Sequence, residues 1–110
     1  DKVLQFGELK TEIKKCGFET LRGEDAVYFE TVLIKTQVPG VMQKLQELLG
    51  TALWPSDGKI PPAINKVIAD FGGIMGKQTL FGFEANGRVV FAMLWPWNDG
   101  LHVTLKMGEK

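Results

Sequence analysis

Apolar residues recur at helical spacing in three stretches of the chain. Phe6, Leu9, Ile13 and Cys16 form one stripe, with Glu8, Lys10, Thr11, Glu12, Lys14 and Lys15 covering the other side. That pattern predicts a helix over 4–16, ended by Gly17. Val41, Met42, Leu45, Leu48 and Leu49 form a second stripe, closed by Gly50, with Pro39 suited to the first turn. Ile64, Val67, Ile68 and Phe71 form a third, over 62–71, stopped by Gly72 and Gly73.

Elsewhere the apolar residues are β-branched or aromatic and follow the period of a strand. FETLR and AVYFETVLI, separated by GED, predict a hairpin. KQTLFGFEA, RVVFAMLW and LHVTLKM predict three more strands, and TALWPSDGKIPP reads as a loop. Asn86-Gly87 is a strong hairpin signal because a type I′ turn needs positive φ at both central residues. A turn around Asn98-Asp99-Gly100 joins the last two strands. The order is α-β-β-α-α-β-β-β. It predicts an α+β fold: one two-layer domain over 1–110, with a mainly antiparallel sheet of about five strands and the helices on one face.

The Asn-Gly turn also sets the register. Ala85 faces Arg88, Phe83 faces Val90, Phe81 faces Ala92 and Leu80 faces Met93. Phe81, Phe83, Val90, Ala92 and Leu94 then share one face with Leu101, Val103, Leu105 and Met107, the expected core. The opposite face carries Leu80, Gly82, Glu84, Val89, Phe91, Met93, Trp95, His102, Thr104 and Lys106, and Gly82 leaves room for the Phe91 ring. Such a strand is either central and covered on both faces, or it exposes an apolar patch that meets a partner. Three helices are few for two faces, so both readings stand.

Composition narrows the partners. The 13 basic and 13 acidic residues cancel, so the field has no dominant sign and nucleic acid is not the expected partner. A stacking platform from Phe91 and Trp95 with Arg88 and Lys106 is the form nucleic-acid binding would take. A single cysteine allows no internal disulfide, and a reduced, cytoplasmic setting is the default. No run is long enough to span a bilayer, and no membrane association is expected. The chain opens on Asp1, as a piece cut from a longer protein would.

Candidate chemistry is sparse. GGIMGKQT departs from the phosphate-loop pattern, with Phe71 at the first glycine position and Gln78 at the hydroxyl position, and a helix leads in where a strand should. Asp70-Phe71-Gly72 matches a kinase tripeptide without the rest of that signature. Cys16 and His102 are the only members available for a thiol–imidazole dyad, and they fall on different layers. One histidine and one cysteine are too few for zinc, and no cofactor is implied.

The reading favours a non-catalytic protein-interaction or assembly domain over an enzyme. Phe91, Met93, Trp95 and His102 would centre the contact, with Arg88, Thr104 and Lys106 on its rim and a second copy as partner. The alternative is a small-molecule site in which Trp54, Trp95 and Trp97 line an apolar pocket beside the 51–62 loop.

Overall fold

The computed structural model describes residues 6–17, 20–50, 52–54, 60–74, 76–85 and 87–110. Its elements are α1 (Phe6–Cys16), β1 (Thr20–Glu24), β2 (Tyr28–Ile34), a 3-10 turn (Lys35–Gln37), α2 (Val38–Leu49), α3 (Pro62–Ala69), β3 (Thr79–Ala85), β4 (Arg88–Pro96) and β5 (His102–Glu109). One antiparallel sheet holds all five strands in the order β1-β2-β5-β4-β3. The α+β fold, the strand count and the element order are those the sequence predicts. Residues 4 and 5, Phe18 and Glu19 of the FETLR stretch, Asn86, and half of the 51–62 loop (51 and 55–59) lie outside the described residues.

The β3–β4 register is also as expected, with Phe83 opposite Val90, Phe81 opposite Ala92 and Leu80 opposite Met93. The first hairpin differs. β1 runs on to Glu24, and the turn falls at 25–27, because the Asp25 carboxylate accepts the Val27 N–H at 2.8 Å and closes an Asx turn there. A register shift between Leu21 and Gly23 marks a bulge in this edge strand.

The sheet face built from Phe81, Val90, Ala92, Leu94, Leu105 and Met107 packs against α1 and α2, with Phe29 and Leu33 of β2 completing the core. α1 and α2 deliver Phe6, Leu9, Ile13, Val41 and Leu45, all nearly inaccessible, along the stripes their periodicity sets. Leu101, expected in this core, is 58% exposed because β5 begins one residue later and leaves it in the turn.

The helices do not all lie on one face. α3 packs on the opposite side, where Ile64 and Ile68 cover Leu80, Val89, Phe91 and Met93. The layering is therefore α1/α2, sheet, α3. RVVFAMLW is apolar at nearly every position because β4 is buried on both faces for most of its length. α3 is short: Phe71 N–H bonds the Ile68 carbonyl, and Gly72 and Gly73 follow with φ of 103° and 73°. Its cover therefore reaches only part of the sheet.

Candidate functional site

Phe91 lies between two cross-strand glycines, and its ring fills the slot over Gly108 of β5, whereas Gly82 of β3, expected from sequence to make room for the ring, meets only the Cα and Cβ of Phe91. A Cβ at Gly108 would stand 2.7 Å from the ring's Cζ, so the ring lies across Gly108. At Gly82 a Cβ would meet the Val90 carbonyl oxygen at 2.9 Å. Phe71, just beyond α3, caps the slot with its centroid 4.9 Å from Phe91 and then stacks on Tyr28 at 5.3 Å. The Tyr28 hydroxyl donates to Glu30 at 2.6 Å; burial first, then the neighbouring carboxylate, push its pKa well above the ordinary tyrosine value. Phe91 and Met93 are fully buried, so neither can meet a partner, and the stacking platform that needed Phe91 is not formed.

Trp95 marks the border of α3's cover. Its ring lies against Gly72, where a Cβ would come within 2.5 Å of Cη2, and the Lys106 ammonium stands 3.6 Å from the ring centroid. The indole N–H is buried, with no hydrogen-bond partner among the described residues.

Beyond that border the β2–β5 half of the face is roofed, among the described residues, by its own side chains. Trp97 follows Pro96, and its backbone N–H bonds the His102 carbonyl at 2.9 Å to close the β4–β5 hairpin. Asp99 organises the tip. One carboxylate oxygen accepts the N–H groups of Leu101 (2.8 Å) and His102 (3.1 Å); the other pairs with His102 Nδ1 at 2.6 Å. The Leu101 N–H, followed by the His102 ring, holds the Asp99 carboxyl below the usual carboxylate range. An ionised Asp99 makes Nδ1 the donor and fixes the imidazole.

The Trp97 ring then lies against the His102 ring, centroids 4.7 Å apart, and its indole N–H donates to Thr104 Oγ1 at 2.8 Å. Trp97 and His102 form the wall between two depressions. One, of about 310 Å³, is lined by Thr20, Arg22 and Val32. The other, of about 340 Å³, is lined by Lys35, Val38, Pro39, Pro96, Leu101 and Val103.

Of the residues named from sequence, Trp95, His102, Thr104 and Lys106 gather on this half of the face, and Thr104 is buried beneath Trp97. Arg88 lies at the far end of β4, 3.2 Å from Glu109, and takes no part. The three tryptophans do not share a pocket. Trp54 bridges Leu80 at the outer edge of β3 and joins Trp95 in the α3 cluster, whereas Trp97 turns onto β5. Arg22, Glu30 and Lys35 were not singled out from sequence, and the sequence pattern assigns Leu101 to the core. The β2–β5 pairing that brings them here leaves no local turn signal, since 67 residues separate Ile34 from His102.

Cys16 and His102, the pair considered from sequence for a dyad, are not brought together. The Cys16 thiol faces the carbonyls of Glu12 (3.7 Å) and Gly40 (3.9 Å), while His102 is held by Asp99, so the two turn to different partners. Among the described residues no three His, Cys, Asp or Glu side chains cluster as a metal site, and no helix is long and apolar enough to cross a membrane. The arrangement offers aromatic surface, apolar hollows and charges of both signs, which are the means of binding. Comparison with protein-family models, curated proteins and solved structures gives no match.

Proposed function

We propose that the protein is a non-catalytic interaction domain whose contact is centred on Trp97 and Leu101 at the β4–β5 hairpin tip, with a second copy of the chain as its partner. The observation that carries this reading is the state of Trp97. It is 40% exposed, yet its ring is pinned by the His102 ring and its N–H by Thr104. An exposed aromatic already fixed in place loses little entropy on binding, and such residues dominate interface energetics. Leu101, 58% exposed, extends the apolar surface beside it. Arg22, Glu30 and Lys106 supply both charge signs nearby, as a two-fold contact that must complement itself requires.

Light scattering coupled to gel filtration over a concentration series tests the reading. The expected result is a dimer that dissociates on dilution, with Trp97→Ala shifting the chain to monomer. A native chain that stays monomeric at about 1 mM, where even a weak contact of ~4 kcal/mol would populate a dimer, overturns it.

A further inference from the structure

We infer that the cleft on the other side of Trp97, between the hairpin tip and the first turn of α2, is a binding site for a small amphipathic carboxylate: an aromatic or short aliphatic body carrying one anionic group. The volume, about 340 Å³, lies at the small end of the range for ligand sites. Its walls are apolar. Pro96 and Val103 are cross-strand partners at the end of the sheet, Val38 comes from α2, and Trp97 and Leu101 come from the hairpin. Both strand termini are fixed by Asp99 and by the Trp97–His102 closure, and the backbone N–H of Lys35 bonds the Leu101 carbonyl at 2.8 Å, tying the two sides together. The walls are therefore set before any ligand arrives, which lowers the cost of binding.

The charge on the rim selects the ligand's polar end. Lys35 is exposed at the cleft, and its ammonium makes no ion pair among the described residues, unlike Lys10, Lys14, Lys15, Lys44 and Lys110. The Asp99 carboxylate at the tip is already taken up by two backbone N–H groups and the His102 ring. An anion placed over Lys35 while its body rests on Trp97 and Val103 would complete the site; a cation or a neutral polar head would not.

The test is a titration of the isotope-labelled protein with 3-phenylpropionate and, separately, with its neutral amide, followed through backbone amide shifts. Saturable shifts are expected at Val38, Leu101 and Val103, with the acid binding about five-fold more tightly than the amide, as one exposed charge contact allows. Lys35→Met should bring the acid down to the amide's affinity and leave the amide unchanged. Val38→Phe, which fills the cleft, should abolish both. Equal binding of acid and amide, shifts mapping elsewhere, indifference to Lys35→Met, or no saturation up to about 20 mM overturns the proposal.

Discussion

The two halves of one sheet face differ in how they are closed. Over β3 and β4, α3 lays Ile64 and Ile68 on Leu80, Phe91 and Met93, and aromatic rings fill the slot that Gly108 opens. Over β2 and β5 the described residues bring no helix, and Trp97, Arg22, Glu30 and Lys106 fold across the strands themselves. The first solution buries large side chains against matched surfaces, which is where core energy comes from. The second fixes a few side chains by directed contacts and leaves one tryptophan partly in water. The halves should therefore separate experimentally: substitutions in the first should cost more stability than substitutions in the second.

Phe91→Ala should break the comparison most severely. It removes a fully buried ring from a slot that cannot collapse, and a loss of about 3–5 kcal/mol is expected in chemical denaturation. Gly72→Ala comes next. Its φ of 103° disfavours any side chain, and the new methyl would strike Trp95 at 2.5 Å, so a loss of about 1–3 kcal/mol is expected by the same measurement. Trp97→Ala, on the open half, should cost only about 1 kcal/mol of stability while abolishing dimer formation. A stability loss as large as that for Phe91→Ala would show that both halves are core and erase the distinction.

The smallest effect is in pH dependence. The Asp99 carboxyl is held below its ordinary value, so its support of the hairpin tip is complete above the unfolded carboxylate pKa. That support fades as pH falls through the lower folded value. Hydrogen exchange at the Leu101 amide, corrected for intrinsic rate, should lose protection on acidification and in Asp99→Asn, while Phe91 keeps its own. Unchanged Leu101 protection in Asp99→Asn would mean the carboxylate does not organise the tip.

What local pattern could specify, the sequence determined alone. Helical stripes placed α1, α2 and α3, turn chemistry fixed the β3–β4 register, and alternation assigned Phe81, Val90, Ala92 and Leu94 to the core. These depend on residues close along the chain, where backbone geometry leaves few choices. Tertiary structure decided which surface each element meets. β4 presents apolar side chains on both faces, and nothing local says that α3 crosses to cover Phe91 and Met93 yet stops at Trp95. Nor does alternation reveal that β2 pairs with β5, which puts Arg22 and Val32 beside Trp97 and His102. Trp97 reads from sequence as one wall of a pocket shared with Trp54 and Trp95; only packing against His102 and Thr104 makes it an anchored, exposed ring. The physical reason is that burial belongs to pairs of distant surfaces, whereas periodicity belongs to one segment at a time.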